Sequence, residues 1–198
     1  MASRITVHLI RHEKTQANRE RKYIGWTDEP IVACAKAIPF LQSDIVYGSD
    51  LVRCRQTANG YFPQAKFIAT EQLRELHFGD FEMKTYEELQ HNLMYRAWID
   101  DPYTVTPPNG ESLTAFCDRV ITAFRQIITA EQSYTFVVHG GVIRILLAKY
   151  GLEEKSFQQV LANHQTIYTL TWDSFTEFKG GARCTSYSEA LITENEPM

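Results

Sequence analysis

The sequence has few cysteines, few prolines and no long apolar run, and each shortage excludes a class of protein. Its four cysteines are far apart and form no C-x-x-C pair, which argues against a structural zinc site. We therefore expect reduced thiols and a cytoplasmic location. Only 7 of the 198 residues are proline and 44% are hydrophobic, so we expect a folded globular chain. With no apolar stretch of about 18 residues and no secretory pattern, we expect no membrane association.

Positive charge is not in excess either. The formal net charge is −4, which argues against nucleic acid or an anionic membrane as a partner. Any anion site must therefore be a local cluster of cationic side chains. We find no repeat, linker or low-complexity segment, so we expect a single domain spanning residues 1–198. Nothing in the sequence sets the oligomeric state.

The most informative stretch is residues 5–12, which reads as a buried strand that ends on Arg11 and His12. Its residues are β-branched and apolar, and the polar loop 13–30 follows abruptly. In an open α/β sheet, ligands bind beyond the carboxyl ends of the strands. Arg11 and His12 are therefore candidates for a functional site.

Further strands and helices alternate along the chain. The patterns predict strands at 44–49, 66–69, 134–138 and 167–172, with a variable edge in the last 20 residues or so. They predict helices at 31–42, 50–61, 85–100, 113–128 and 142–150. Ser49 or Asp50 is expected to cap the second helix, and Thr85 with Glu88 forms a capping box for the third. This alternation predicts an α/β fold with a mostly parallel sheet and helices on both faces.

The predicted strand ends carry residues suited to an anion. One strand ends on Arg11 and His12, a second ends on His139, and a third leads into a helix that carries Arg53. If these strands are parallel neighbours, the four side chains meet at one edge of the sheet. Their mutual repulsion costs free energy unless an anion is bound. A phosphoryl group fits, because its oxygens match the forked guanidinium groups.

Phosphoryl transfer is a reaction that such a cluster can perform. Neighbouring positive charge keeps one imidazole unprotonated and nucleophilic. The phosphoryl group would pass to that nitrogen and then to water, with the arginines stabilising its equatorial oxygens. Protonating the leaving alkoxide requires a general acid. The loop 70–83 offers Glu75, Asp80 and Glu82, and the residues alone leave that choice open.

Four segments resemble, in family order, the motifs of the histidine phosphatase (phosphoglycerate mutase-like) superfamily. They are Arg11-His12 with Thr15 and Asn18, residues 49–58 (SDLVRCRQTA), residues 73–82 (LRELHFGDFE) and residues 138–141 (VHGG). The resemblance implies a three-layer α/β/α sandwich that needs neither a metal nor another cofactor. It implies that His12 is the phosphorylated nucleophile, Glu75 the proton donor and acceptor, and His139 the second pocket histidine. It also implies that the phosphate ligands are Arg11, Asn18 and Arg53.

A finer similarity concerns the substrate. Residues 78–83 and 108–111 and the helix after them are similar to α-ribazole phosphatases of cobalamin biosynthesis. The resemblance thus implies a small phosphomonoester, α-ribazole 5′-phosphate, hydrolysed through a phosphohistidine. The alternatives are a broad-specificity phosphatase or phosphoglycerate mutase-type enzyme and, in another class, a non-catalytic phosphoester-binding protein. Trp26 and Phe81 either line a base-binding pocket or simply pack.

One departure from the family pattern lies beside the expected nucleophile. Glu13 stands where the family has a glycine. A carboxylate that pointed into a phosphate pocket would repel the substrate. We therefore expect Glu13 to point outward or to tether an arginine or lysine.

Overall fold

The computed structural model describes residues 4–33 and 36–192, and a mixed sheet lies at its centre. The six strands within these ranges are β1 (Ile5–Arg11), β2 (Ile45–Ser49), β3 (Lys66–Thr70), β4 (Ser133–Val138), β5 (Thr166–Trp172) and β6 (Ser186–Leu191). Their order across the sheet is β3-β2-β4-β1-β5-β6. The first four strands in that order pair in parallel, and β5 and β6 add an antiparallel edge. The sheet is mostly parallel, as predicted.

Short and medium helices connect the strands. The described α-helices are α1 (Gln16–Arg19), α2 (Val52–Tyr61), α3 (Tyr86–Leu89), α4 (Leu93–Asp100), α5 (Leu113–Ile127), α6 (Gly140–Tyr150) and α7 (Phe175–Lys179). Single 3₁₀ turns lie at Glu71–Leu73, Gly79–Phe81 and Phe157–Gln159. Across the described ranges, none of these helices has the length and apolarity to cross a membrane.

Two hydrophobic cores show that helices cover both faces of the sheet. Val7 and Leu9 of β1 belong to the larger core with the apolar stripes of α5 and α6. Ile10, whose side chain leaves the strand on the other side, packs in a second core with Cys54 and Ala58 of α2. The predicted three-layer α/β/α sandwich is therefore confirmed.

The predicted helix at 31–42 is wrong for the described part of that segment. Residues 31–33 and 36–42 form a bridge, bends and turns, while Cys34 and Ala35 lie outside the described residues. Pro39 removes a backbone donor and Val32 offers no cap, so the local sequence cannot sustain a helix. Ile38 is buried instead, and its N–H donates to the carbonyl of Tyr61 at 3.1 Å.

The predicted helix at 85–100 is divided in two. Its first turn has the expected capping box, in which Thr85 N donates to Glu88 Oε2 at 2.7 Å. The helix then ends at Leu89, and the Asn92 side chain accepts bonds from Met94 N and Tyr95 N to start α4. A second strong cap within the segment thus outweighs the continuous apolar pattern.

The predicted cap of α2 is also wrong. Leu51 occupies the cap position and makes no side-chain cap bond. Asp50 is instead paired with the guanidinium of Arg74, whose Nε lies 2.8 Å from Asp50 Oδ1. The first N–H of α2, that of Val52, donates to Asp28 Oδ1 at 2.8 Å, so a distant carboxylate takes the place of the local cap.

Candidate functional site

The candidate site begins where β1 and β4 end side by side. Arg11 is in register with Val138, and His12 N donates to the Val138 carbonyl at 2.9 Å. This pairing places the next residues of the two strands, His12 and His139, with their ring centroids 5.1 Å apart. Arg53, in the first turn of α2 after β2, is close enough to affect the pKa of both rings. The structure therefore brings these three predicted residues together.

The His12 imidazole is buried, and one tautomer is favoured. Its Nδ1 lies 2.7 Å from the carbonyl oxygen of Glu13. Because a carbonyl can only accept, Nδ1 carries the proton and Nε2 keeps its lone pair. Burial above all, and then the charges of Arg53 and Arg11, hold the pKa of His12 well below its usual value. His12 is therefore a neutral imidazole with a free nitrogen at neutral pH.

His139 is fully buried, and its ring lies edge-on to that of His12. Burial and the charge of Arg53 also hold the pKa of this histidine well below its usual value. The sulfur of Cys54 lies 3.5 Å from His139 Nε2. Burial raises the pKa of Cys54 to about 12, so the sulfur keeps its proton beside the ring.

The two arginines are held by backbone carbonyl groups. Arg11 Nη1 donates to Ala162 O at 2.8 Å, while Arg53 donates to Thr27 O at 2.9 Å and to Gly25 O at 2.6 Å. In the part of the chain that the structure describes, the buried Nε of each arginine has no hydrogen-bond partner. Buried donors are rarely left unpaired, and an anion is the natural partner for two such cations.

Of the three candidate acids, only Glu75 lines the cleft at this site. It is 8% exposed, and its carboxylate accepts bonds from Gly141 N at 2.8 Å and Leu76 N at 2.9 Å. Asp80 is exposed and accepts from the amide of Asn109. Glu82 is bonded to the loop after Ile24 rather than aimed at the cleft.

Neither Asn18 nor Glu13 is part of the cleft lining, and each side chain has a hydrogen-bond partner of its own. The side-chain oxygen of Asn18 accepts from Thr15 N at 3.1 Å in a capping box of α1, so a phosphate contact would come from its amide nitrogen. The carboxylate of Glu13 accepts a bond from the Tyr61 hydroxyl, and Glu13 N donates to Thr57 Oγ1. Glu13 does not line the cleft, and this partner is a tyrosine rather than the expected arginine or lysine.

A cleft of about 570 Å³ opens over the site. Arg11, Glu75 and the Gly140–Gly141 turn are among its lining residues, whereas His12, Arg53 and His139 are buried and are not part of that lining. Its aromatic wall consists of Tyr23, Phe78, Trp98, Phe116 and Phe157. Trp26 and Phe81, the aromatic candidates from the sequence, are absent from this lining, so for them the packing alternative applies.

The sequence pattern missed two polar residues at the site. His164 Nδ1 donates to the His12 carbonyl at 2.8 Å, and the two ring centroids are 5.7 Å apart. Arg144 lines the cleft with one face against Phe157, its guanidinium carbon 4.1 Å from the ring centroid. Helical spacing could have found Arg144, because it lies one turn beyond Gly140 and Gly141 on α6. No local signal marks His164, which follows a long irregular segment.

A metal centre was not predicted for this chain. In the ranges 4–33 and 36–192, no group of three His, Cys, Asp or Glu side chains is arranged to hold a metal ion.

Comparisons with known proteins bear on the sequence motifs and the fold. The family model described as "Histidine phosphatase superfamily (branch 1)" matches residues 7–178. The chain is 31% identical over 157 residues to an adenosylcobalamin/alpha-ribazole phosphatase of Escherichia coli K12, covering 71% of this chain and 76% of that protein. It is 28% identical over 194 residues to a 2,3-bisphosphoglycerate-dependent phosphoglycerate mutase of Bartonella henselae, covering 85% and 94%.

Solved structures show the same likeness. The structure of the alpha-ribazole phosphatase from Shigella flexneri superposes with a TM-score of 0.72 at 27% identity, covering 83% of this chain and 89% of that one. The resemblance found in the motifs and the predicted fold are therefore both confirmed.

Proposed function

The chain belongs to the histidine phosphatase superfamily (branch 1), and from that premise we propose that it is a metal-independent phosphomonoesterase acting through a phosphohistidine. The observation that carries this proposal is the state of His12. Its ring is neutral, its Nδ1 proton is fixed by the Glu13 carbonyl, and its Nε2 therefore keeps the lone pair that a nucleophile needs. A non-catalytic phosphoester-binding protein would have no need of this arrangement.

The reaction divides into two displacements at phosphorus. Nε2 of His12 attacks, the N–P bond forms, and the P–O bond to the leaving alcohol breaks while Glu75 gives that oxygen a proton. Water then attacks the phosphohistidine, Glu75 takes a proton from it, and the N–P bond breaks to release inorganic phosphate. Arg11, Arg53 and His139 surround the transferred group, and their charges and N–H groups stabilise its oxygens.

The size and lining of the cleft favour a substrate whose leaving alcohol is bulky and carries an aromatic group. A phosphate occupies only a small part of about 570 Å³, and the rest of the lining is mostly apolar and includes five aromatic side chains. The similarity to proteins named alpha-ribazole phosphatases agrees with such a substrate, whose base is a planar aromatic system. We therefore propose α-ribazole 5′-phosphate as the substrate. Similarity to phosphoglycerate mutases makes 3-phosphoglycerate the first compound to compare.

The proposal is tested by trapping the phosphoenzyme. Protein incubated with ³²P-labelled ester and quenched in base should carry acid-labile phosphate, and His12→Ala should carry none and hydrolyse nothing. His91→Ala, which alters an exposed histidine, is the matched control and should label normally. Labelling that survives His12→Ala would rule out this nucleophile.

The substrate is tested by a panel of phosphomonoesters. We expect kcat/KM for α-ribazole 5′-phosphate to exceed that for 3-phosphoglycerate and for p-nitrophenyl phosphate. Phosphate transfer between positions of phosphoglycerate, faster than hydrolysis of any ester, would favour the mutase alternative.

A further inference from the structure

We infer that Glu82 is a positioning residue that holds both the phosphate-binding arginine and the proton donor in place. It lies outside the cleft lining, and its carboxylate is bonded to the segment Gly25–Thr27. That segment in turn holds Arg53 and Glu75. The inference rests on the proposed roles of those two residues.

The Glu82 carboxylate accepts five hydrogen bonds. Three come from consecutive backbone N–H groups, at 3.1 Å from Gly25, 2.8 Å from Trp26 and 3.2 Å from Thr27. The Thr27 hydroxyl donates at 2.8 Å and Phe78 N at 3.2 Å. Only an ionised carboxylate accepts throughout, and bonds to a charged acceptor are stronger than neutral ones. The fold of this loop therefore depends on one anionic side chain.

The same loop fixes the Arg53 guanidinium. The carbonyl of Gly25 accepts from Arg53 Nη2 at 2.6 Å, and the carbonyl of Thr27 accepts from Nη1 at 2.9 Å. No carboxylate forms an ion pair with Arg53 in the described ranges, so these two carbonyls set its orientation. A shift of the loop would therefore move the guanidinium.

The loop also reaches Glu75 through Trp26. The indole Nε1 donates to the backbone carbonyl of Glu75 at 2.9 Å. The Trp26 ring is itself packed against the Arg74 guanidinium, 4.9 Å from the ring centroid, and edge-on to His77. Trp26 therefore ties the segment that carries the proton donor to the segment that orients Arg53.

The close approach at Gly25 gives a second sign that this contact is tight. A Cβ at Gly25 would lie 2.0 Å from the Leu76 carbonyl oxygen and 2.4 Å from Glu82 Oε1. The glycine thus lets the loop backbone come within bonding distance of the carboxylate. A displacement of the loop backbone towards or away from Glu82 would therefore disrupt these hydrogen bonds.

Glu82→Gln is the variant that tests the inference, with Glu87→Gln as the matched control at an exposed carboxylate. The amide places an N–H₂ group among donors, so several loop bonds are lost. We expect the affinity for orthovanadate, a phosphate mimic, to fall ~10-fold because Arg53 is displaced. We also expect hydrolysis of alkyl phosphates to slow more than that of aryl phosphates because Glu75 is displaced. The control should match the wild type in both measurements.

Trp26→Phe separates the two effects. It removes the hydrogen bond to the Glu75 carbonyl and keeps an aromatic ring. Hydrolysis of alkyl phosphates should therefore still slow more than that of aryl phosphates, while the affinity for vanadate stays at the wild-type value. If Glu82→Gln does not fold, Thr27→Val, which removes one of the five donors, should show both effects at smaller size.

The outcomes are distinct. A folded Glu82→Gln protein with lower thermal stability but wild-type vanadate affinity and leaving-group dependence would show a purely structural role and overturn the inference. The same result for Thr27→Val would overturn it if Glu82→Gln is unfolded. A wild-type protein that neither binds vanadate nor hydrolyses esters would overturn the proposed function, and this inference with it.

Discussion

Gly141→Ala should separate catalysis from stability at the proposed proton donor. Gly141 is in the first turn of α6, and its N–H donates to Glu75 Oε2 at 2.8 Å. A Cβ at this position would lie 2.1 Å from Glu75 Oε1, where ordinary contacts begin at 3.4 Å. The carboxylate must therefore move by more than about 1 Å from its present position.

The size of the effect follows from that displacement. A misplacement of about 1 Å of a reacting group can cost ~100-fold in rate. We expect kcat/KM for alkyl phosphates to fall ~100-fold, and that for p-nitrophenyl phosphate to fall much less because its leaving group needs no proton. A Cβ at Gly141 would also lie 3.0 Å from Cε1 of the buried Phe116. The free energy of unfolding should therefore fall by no more than about 2 kcal/mol, because the helix preference of alanine over glycine offsets part of the cost of crowding that ring.

The neighbouring glycine supplies the control. A Cβ at Gly140 would lie 3.1 Å from Arg11 Cζ and does not approach Glu75. Gly140→Ala should therefore weaken vanadate binding a few-fold. The ratio of the rates for alkyl and aryl phosphates should stay as in the wild type. A folded Gly141→Ala enzyme that hydrolyses alkyl phosphates at the wild-type rate would refute the role given to Glu75.

Three further results are expected. Glu75→Gln should slow alkyl esters far more than activated aryl esters, and equal slowing would argue against proton donation. EDTA should leave hydrolysis unchanged, whereas loss of activity would indicate a required metal ion. Burial and the charge of Arg11 lower the pKa of His164 to about 4, so the folded state keeps this ring neutral while the unfolded chain protonates near pH 6.5. The free energy of unfolding should thus decrease as pH falls from 6.5 towards 4. The decrease is at most about 3 kcal/mol, and screening of the charge by solvent makes it smaller. His164→Asn should flatten that part of the stability profile, and an unchanged slope would contradict the assignment.

The site was predictable where its residues sit at the ends of regular strands. β1 and β4 carry strong apolar patterns, so the positions of His12 and His139 followed from the rule that parallel strands end at one edge. Arg53 followed because α2 begins directly after β2. Choosing Glu75 over Asp80 and Glu82 required the family resemblance, since all three share one loop.

Other features depend on contacts that no local pattern encodes. His164 arrives at the site from a long irregular segment, and only the folded chain places its ring against the backbone of His12. The helix expected at 31–42 is overridden by Pro39 and by the burial of Ile38 beside α2. Asp50 is bonded to Arg74, and Asp28 from another loop accepts from the first N–H of α2. In each case a distant partner outweighs the local preference.

The division of the cleft has a consequence for how this protein can evolve or be engineered. Its chemical floor is built from strand ends and tight turns, whereas Ile99 lies on α4 and Phe157 in a 3₁₀ turn, and neither is a fully buried core residue. Libraries that randomise these two positions should alter which alcohol is accepted while the residues that transfer the phosphoryl group stay in place. Substitutions that change substrate specificity should therefore occur at these wall positions, while the residues of the floor stay unchanged.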